Sequence, residues 1–351
     1  RPFDLEKEYP LRVCFYEVLD KEGESDRYVL IMMHHIASDG WSEEVFTSEL
    51  DSYYRAYTSG DTAFELPELP IQYSDYAVWE RAALTGEVLS EKLSYWETRL
   101  SGFETLSLPT DHTRPAVFDY KGNSLEFVIS EHLSIELREL AQSEGVTLNS
   151  LMLSSVAVLL GKYANQDDIL IGSPHANRDH YQTGGLIGFF INTLVNRVRL
   201  DKGQSFIDLI KDVHRDQVDA QSHRDFPFEQ LIDHLSIEQN TSRHPLFQVL
   251  FSLQSFGQKE VDTLSEYLQP VPLEDGGHQI EKLDMTIYMD DSNTGIAVQI
   301  SYATSLFAEE TIERMARHYL VLLESLVTND TTPYLSHSLL DASNYQTMVH
   351  D

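Results

Sequence analysis

The segment that most constrains the fold lies at residues 148–163, where apolar side chains occur on nearly every side of a helical pattern. A helix that is apolar all round is stable in water only when other elements cover it. Gly145 separates this pattern from a second helical pattern at residues 134–144. We therefore expect a central helix inside a layered core, and 351 residues suffice for two packed lobes.

Strand-like and helix-like patterns alternate irregularly along the chain, which predicts an α/β fold of two lobes. Strands are predicted at residues 11–18, 28–35, 125–129, 168–173, 190–200, 247–254, 282–289 and 296–303. Helices are predicted at residues 42–58, 74–85, 90–101, 134–144, 148–163, 205–221, 227–235 and 308–327. Ser42, Ser90 and Asp225 are the expected N-caps of three of these helices.

The composition excludes several classes of function. Asp and Glu number 57 against 25 Lys and Arg, a net charge of −32, which argues against a nucleic-acid partner. No apolar run reaches the roughly 18 residues needed to span a membrane, and no signal-peptide pattern occurs. Cys14 is the one cysteine, so a multi-cysteine metal site is excluded and a buried structural thiol is expected. We expect a cytoplasmic protein without membrane, nucleic-acid or metal partners.

The most informative motif places two adjacent histidines, His34 and His35, directly after an apolar run at residues 28–33. Asp39 and Gly40 then turn the chain before an amphipathic helix. A histidine at the end of a buried strand, next to a tight turn, is well placed to accept and release a proton near neutral pH. Core or surface histidines with satisfied hydrogen bonds fit the same pattern, so the motif alone leaves both interpretations open.

Four further motifs accompany the histidine pair. The five segments cover residues 33–42, 73–79, 187–197, 223–229 and 242–247. They read MHHIASDGWS, YSDYAVW, IGFFINTLVNR, HRDFPFE and SRHPLF. In this order they resemble the third to seventh core motifs of nonribosomal peptide synthetase condensation domains. The first two core motifs of that family have no counterpart here, so we expect the chain to lack the first part of its N-terminal lobe.

The resemblance implies a chloramphenicol-acetyltransferase-like fold, in which two lobes form a V with a tunnel between them. Residues 1–110 would form the remainder of the N-terminal lobe, residues 111–123 an inter-lobe linker, and residues 124–351 the C-terminal lobe with the start of an exit linker. The run after Ser336 is similar to the stretch that leads to an adenylation domain, so an adjacent adenylation domain is expected.

The implied reaction is amide-bond formation. A donor acyl, aminoacyl or peptidyl group on one peptidyl carrier protein would pass to the α-amine of an aminoacyl thioester on a second, acceptor carrier. Both groups would be held on phosphopantetheine arms of the carriers, and this chain would bind no cofactor of its own. Residues 69–76 and 108–111 look most like domains that join an L-configured donor to an L-configured acceptor.

The resemblance assigns His35 to the catalytic position, either as a base, as a group that orients the amine, or as a stabiliser of the charged adduct. His34 is then expected to order the strand end. Asp39 is implied to form a buried ion pair, with Arg197 or an arginine of the absent segment as partner. The amide of Gly40 either binds the oxyanion or belongs to a plain turn.

Four other polar or aromatic residues are candidates for contacts with the tunnel or substrate. They are Ser38, Trp41, Asn192 and Thr193. Trp41 equally fits a packing anchor. Asn192 and Thr193 interrupt an apolar stretch, and their polar groups need partners that either a tunnel or a structural hydrogen bond would supply.

Three alternative functions remain within the same fold. Epimerisation domains order the residues after the aspartate differently, and Gly40-Trp41-Ser42 fits condensation better. An acyltransferase that uses a free coenzyme thioester shares the histidine motif but not the downstream motifs. A non-catalytic docking domain for carriers or other partners would tend to lack the catalytic histidine, whereas His35 is present.

Overall fold

The computed structural model describes residues 2–19, 25–235, 237, 240–254, 269, 271 and 279–340. Residues 341–351, which include part of the run after Ser336 that resembles an exit linker, lie outside this part of the chain. Contacts divide the protein into two compact units. The first contains the described residues up to Thr85 and the segment Ala176–Ile191, and the second contains Gly86–His175 and most of the chain after Asn192.

The first unit contains a two-stranded antiparallel sheet and two helices. Strands β1 (Leu11–Leu19) and β2 (Ser25–Met33) pair along their whole length. Helix α1 spans Gly40–Thr58 and helix α2 spans Tyr73–Ala83. A short 3₁₀ turn at His35–Ala37 joins β2 to α1, and another lies at Tyr181–Thr183.

The apolar run of β2 was expected to be buried, and this prediction is wrong for the described structure. Tyr28, Val29 and Leu30 are each at least 36% exposed. Among the described residues, β1 and β2 pair only with each other, so no further strand extends this sheet. Cys14 on β1 is half-buried rather than buried. An apolar run predicts a strand, but its burial depends on whether another element covers it.

The second unit is built on a six-stranded mixed sheet with the order β3-β8-β7-β6-β4-β5. Its strands are β3 (Gly122–Ile129), β4 (Asp168–His175), β5 (Asn192–Arg199), β6 (Val249–Gln254), β7 (Met285–Asp290) and β8 (Ile296–Ala303). Strand β6 runs parallel to β4 and β7, and the remaining neighbours are antiparallel. Its helices are α3 (Gly86–Leu100), α4 (Glu131–Ser143), α5 (Leu148–Ala164), α6 (Phe206–Gln221), α7 (Phe228–His234) and α8 (Glu309–Thr328).

Helix α5 lies at the centre of this unit, as its apolar pattern predicts. Its residues from Ser150 to Gly161 are buried, and it contacts α4, α6 and α8 as well as strands β4 and β6. Among the described residues, no single helix is long and apolar enough to cross a membrane. Among the described helices, the pair α4 and α5 would together be long and apolar enough, but the chain bends by 112° between them.

Two N-cap predictions are wrong because the helices begin earlier than the pattern suggests. Helix α1 begins at Gly40 with Asp39 as its N-cap, so Ser42 lies inside the first turn. Helix α3 begins at Gly86, and the hydroxyl of Ser90 donates to the Gly86 carbonyl within the helix. In both helices the serine lies inside the helix rather than at its N-cap.

The third predicted cap, Asp225, is also wrong. Helix α7 begins at Phe228, and Pro227 occupies its N-cap position without a side-chain hydrogen bond. The carboxylate of Asp225 instead pairs with Lys92 of α3 at 2.6 Å. The carboxylate of Asp225 therefore forms an ion pair with a residue distant in sequence, and it does not cap the helix as the local pattern predicts.

The compact units and the lobes expected from the sequence differ over residues 86–110. The structure groups these residues with the second unit, because Trp96 and Leu100 of α3 are buried with Leu170 of β4 and Val195 of β5. Helix α3 therefore belongs to the core of the larger unit, although it precedes the linker-like stretch in sequence.

Candidate active site

The histidine motif lies in the first unit, between the end of β2 and the start of α1. His34 precedes the 3₁₀ turn, and its Nδ1 accepts a hydrogen bond from the amide of Ile36 at 3.0 Å. The ring of Phe3 meets the His34 ring edge-on, with centroids 5.6 Å apart. These contacts agree with the expectation that His34 orders the end of the strand.

His35 has a defined tautomer in this arrangement. Its Nδ1 lies 2.6 Å from the carbonyl oxygen of Ser38, and because a carbonyl can only accept, Nδ1 carries the proton. The neutral imidazole then has its lone pair on Nε2. The ring of Phe189 meets the imidazole edge-on at 5.2 Å between centroids, and the histidine is exposed. The ring is therefore held on one side and can act as a base or acceptor on the other.

Asp39 fixes the loop that carries His35. Its Oδ1 accepts from the amide of Ser42 at 2.9 Å, from the Ser42 hydroxyl at 2.7 Å and from Arg178 at 3.0 Å. Its Oδ2 accepts from the amide of Phe190 at 3.0 Å. Burial acts to raise the pKa of Asp39, but these hydrogen bonds and the Arg178 charge outweigh it, so the pKa is lowered. Asp39 is therefore ionised at neutral pH.

The partner of this buried carboxylate is Arg178, a residue that is not among the predicted site residues. The side chains of Arg178 and Asp39 are each only 3% exposed. Nη2 of Arg178 donates to Asp39, and Nη1 donates to the carbonyls of Thr183 at 2.6 Å and Leu186 at 2.8 Å. The guanidinium also lies 4.0 Å from the centre of the Phe190 ring. Arg178 follows the predicted strand at 168–173 by five residues, and no local pattern pairs it with Asp39.

The prediction that Arg197 pairs with Asp39 is wrong. Arg197 lies on β5, and its guanidinium makes a two-pronged pair with Asp168 of β4, at 2.8 and 2.7 Å. Its remaining donors reach the backbone carbonyls of Arg99, Ser101 and Gly102 at the end of α3. All five of its donors are thereby used within the second unit, so Arg197 ties α3 to the sheet.

Ser38, Gly40 and Trp41 surround the catalytic candidate along the chain. Ser38 is buried and holds His35 through its carbonyl. Gly40 is the first residue of α1, and apart from its chain neighbours and the helix's own backbone, no described atom lies within 4 Å of the position that a Cβ would take there. The indole of Trp41 donates to the carbonyl of Gly184 at 2.9 Å, which supports the packing interpretation of this residue.

Asn192 and Thr193 lie at the start of β5, in the second unit. The Asn192 amide donates to the carbonyls of Arg224 and Phe226, at 2.6 and 2.8 Å, and its oxygen accepts from the amides of Thr193 and Phe228. These bonds support the structural alternative for Asn192, which anchors the segment before α7. Within the described ranges, no group of three or more His, Cys, Asp or Glu side chains is arranged to hold a metal ion.

The chain is similar to parts of several very long synthases. Tyrocidine synthase 3 of Brevibacillus parabrevis is 36% identical over 331 residues, and surfactin synthase subunit 1 of Bacillus subtilis is 35% identical over 344 residues. The alignments cover 94% and 97% of this chain, but only 5% and 9% of those relatives. The chain therefore spans less than a tenth of the length of these two relatives.

Solved structures share the fold. The X-domain from teicoplanin biosynthesis aligns with a TM-score of 0.85 at 24% identity, covering 97% of this chain and 77% of that one. The condensation domain of the monacolin K polyketide synthase MokA aligns with a TM-score of 0.74 at 20% identity, covering 92% and 74%. The predicted α/β fold of the chloramphenicol-acetyltransferase-like type is confirmed. The family model described as Condensation domain matches residues 1–349, and the chain belongs to this family.

Proposed function

We propose that the chain forms an amide bond between two carrier-bound substrates. The α-amine of an acceptor aminoacyl thioester attacks the carbonyl carbon of a donor thioester. A carbon–nitrogen bond forms, the carbon–sulfur bond breaks, and the proton lost by the amine balances the thiolate that leaves the donor. Membership of the condensation-domain family supports this reaction class.

The observation that carries the residue assignment is the short contact between Nδ1 of His35 and the Ser38 carbonyl. It leaves Nε2 as the acceptor nitrogen of an exposed imidazole. An α-amino group has a pKa near 8, so a neutral imidazole at hydrogen-bond distance is a suitable acceptor for its proton. The Ser38 carbonyl would stabilise the imidazolium that forms.

Asp39 and Arg178 are proposed as positioning residues. Their buried pair ties the start of α1 to the segment 183–190 through the carbonyls of Thr183 and Leu186 and the amide of Phe190. The loop 34–39 therefore has little freedom to move His35 away from Phe189. Because Arg178 neutralises Asp39 locally, the aspartate is unsuited to act as the base itself.

The amide of Gly40 is proposed as a donor to the oxyanion of the tetrahedral adduct. Amides in the first turn of a helix have no acceptor within the helix, and Gly40 opens α1. One such donor typically contributes about 3 kcal/mol to lowering a barrier. The adjacent Trp41 is held by Gly184 and would fix the direction of this turn.

The remaining parts of the proposal concern partners. The donor and acceptor groups would arrive on phosphopantetheine arms of peptidyl carrier domains, and an adenylation domain would adjoin the chain in a larger cytoplasmic synthetase. The relatives are synthases and synthetases of great length, which supports a multidomain parent. The configuration of the donor is proposed to be L, and so is that of the acceptor.

A docking role is the second candidate, and it is suggested by one solved structure with the same fold. The fold is shared with an X-domain whose solved structure is a complex with OxyB. That likeness, at 24% identity, concerns the fold alone. The defined tautomer of His35 favours the catalytic role over recruitment, because a pure docking domain has no need of an oriented imidazole.

The experiment that separates these functions uses two carrier proteins, each loaded with a different aminoacyl group and analysed by intact mass. We expect the donor group to appear on the acceptor carrier only when the chain is present. Inversion of a single loaded aminoacyl group without transfer would identify an epimerisation domain instead. Carrier binding without any change of mass, across several loaded pairs, would favour the docking role and contradict the proposal.

A further inference from the structure

The second unit contains a buried carboxylate that has no cationic partner among the described residues. Glu281 lies four residues before the first residue of β7 and is only 5% exposed. Its Oε1 accepts hydrogen bonds from the amides of Lys282 and Leu283, at 2.9 and 3.0 Å, and from the Thr286 hydroxyl at 2.9 Å. Its Oε2 accepts no hydrogen bond within the same part of the chain. A buried charge is costly unless an opposite charge accompanies it, so this oxygen is a candidate contact for a cation.

Glu281 borders a cavity of about 230 Å³. Residues of β3, β8 and the segment 279–281 line it, and among those that the structure describes none is basic. The strand register places Ser124, Ser301 and Thr286 beside one another on β3, β8 and β7. Directly opposed residues of a sheet point to the same face, and Thr286 donates to Glu281. The carboxylate and the two serines therefore lie on one face of the sheet.

The backbone around Gly122 holds Glu281 against the start of β3. The amide of Gly122 donates to the Gln279 carbonyl at 2.7 Å, and the amide of Glu281 donates to the Tyr120 carbonyl at 3.0 Å. A Cβ at position 122 would lie 2.9 Å from the Cβ of Glu281, so only glycine permits this close approach. The carboxylate is therefore fixed in place before any ligand arrives, which reduces the entropy cost of binding.

The free acceptors in the cavity suit an ammonium group. Neither Ser124 nor Ser301 makes a side-chain hydrogen bond to another described residue, so both hydroxyls can accept from a ligand. An ammonium has three N–H donors, and the two hydroxyls and Oε2 of Glu281 provide three acceptors. A guanidinium binds best to both oxygens of one carboxylate, whereas Glu281 has one oxygen left.

A divalent metal ion fits this cavity less well. Asp284 is the nearest further carboxylate that acts on Glu281. Both of its oxygens accept from Arg114, with Nη1 donating to Oδ1 at 2.8 Å and Nη2 to Oδ2. One carboxylate oxygen of Glu281 thus remains for a ligand, whereas calcium prefers a larger set of oxygen ligands.

Electrostatics also favour a monovalent cation at this position. Burial raises the pKa of Glu281, and the charge of Asp284 adds to this effect. A cation beside Oε2 would lower the pKa again and keep the carboxylate ionised at neutral pH. The chain carries a net charge of −32, which attracts cations from solution.

We propose that this cavity binds a primary alkylammonium group, whose three N–H groups donate to Glu281, Ser124 and Ser301. Two sources have this chemistry, namely a free aliphatic amine and the side-chain amine of a lysine-like residue in a carrier-bound substrate. In the second case the proposal rests on the amide-forming function proposed above, and it then names a class of substrate. The binding of the ammonium group itself does not rest on the role proposed for His35.

The test titrates the 351-residue chain with small probes followed by ligand-detected NMR. The probes are n-butylamine, N-acetyl-lysine amide, butylguanidine and the uncharged 1-butanol. A salt concentration of about 0.15 M screens the diffuse attraction of cations to the acidic surface. Binding is measured without carriers or turnover, so a negative result is distinct from a failure of amide formation.

Three variants locate the binding. Glu281→Gln removes the charge and keeps the shape of the side chain, and Ser301→Ala removes one hydroxyl acceptor. Glu126→Gln is the matched control, because Glu126 is an exposed carboxylate of β3 on the same face of the sheet that does not line the cavity. Circular dichroism checks that each variant is folded.

We expect the amines to bind more tightly than butylguanidine and 1-butanol not to bind. Their affinity should fall at least about tenfold in Glu281→Gln and about fivefold in Ser301→Ala, and stay unchanged in Glu126→Gln. Tighter binding of n-butylamine supports a free amine as the ligand, and tighter binding of N-acetyl-lysine amide supports a substrate side chain. No binding of either amine, equal binding of butylguanidine or 1-butanol, or equal affinities of the wild type and Glu281→Gln would overturn the proposal. Ser301→Ala decides in the same way if Glu281→Gln does not fold.

Discussion

At the scale of single residues, the catalytic candidate depends on local hydrogen bonds and on one distant ion pair. The tautomer of His35 is set by the carbonyl of Ser38, three residues further along the chain. The pair between Asp39 and Arg178 joins positions 139 residues apart. Nothing in a single sequence selects Arg178 over Arg197 for this role, because the choice is made by a contact between distant segments.

Replacing Asp39 by alanine should strongly destabilise the protein. The change leaves the guanidinium of Arg178 almost fully buried without its carboxylate, a loss of about 3–5 kcal/mol in the free energy of unfolding. Urea denaturation measures this quantity. Glu313→Ala is the matched control, since it breaks an exposed pair with Arg317, where we expect less than about 1 kcal/mol. Similar small losses in both variants would show that the buried pair does not hold the loop.

At the scale of elements, periodicity predicted most strands and helices to within a few residues, and both ends of β8 were predicted correctly. For other elements, periodicity did not predict the exact first and last residues or which side chains are exposed. Helix α1 starts where the side chain of Asp39 caps it, and the same side chain forms the ion pair. Strand β2 is exposed because no further strand covers or extends its sheet among the described residues. Both depend on tertiary contacts that a local pattern does not contain.

The packing of α2 against the segment 183–190 can be tested with two glycines. A Cβ at Gly188 would collide with the ring of Tyr73, whose hydroxyl donates to the Phe189 carbonyl at 2.7 Å. Gly188→Ala should therefore cost about 1–3 kcal/mol of stability through overpacking. Gly185→Ala, in the same segment, meets only Leu69 at an ordinary distance of 3.5 Å and should be nearly neutral. Thermal unfolding of the two variants compares them, and equal melting temperatures would rule out this tight contact.

At the scale of the whole molecule, the sequence predicted the fold type and the family, but not which segments would pack together. The first unit is discontinuous, since the segment Ala176–Ile191 joins residues that lie before Thr85. The ion pair of Asp39 and the aromatic cluster of Tyr73, Tyr76 and Phe190 both depend on this return of the chain. Patterns read along the sequence locate elements, whereas these contacts arise only when distant segments meet.

Acid should destabilise the whole molecule through partly buried histidines. Burial lowers the pKa of His244 to about 4, whereas an unfolded histidine binds a proton below about 6.5. Its stabilising effect is therefore complete above pH 6.5 and is lost as the pH falls towards 4. Burial also lowers the pKa of His223, His318 and His337.

We expect His244→Phe, which keeps a ring beside Phe228 and Phe247, to lose less stability than the wild type between pH 7 and pH 5.5. The difference should be about 1 kcal/mol in the free energy of unfolding, measured with urea at both pH values. The control is His132→Phe on the exposed face of α4, which should follow the wild type. Identical pH dependence in all three proteins would contradict the neutral state of the partly buried His244.

The catalytic role of His35 is tested most directly by the single-turnover rate of amide formation between two loaded carriers, compared for the wild type, His35→Ala and His132→Ala. We expect His35→Ala to lower the rate by at least about a hundredfold while its melting temperature stays that of the wild type, because the exposed imidazole supports little of the fold. His132→Ala should retain the wild-type rate. An equal rate in His35→Ala and the wild type would contradict the assignment of His35 as the group that handles the proton of the amine.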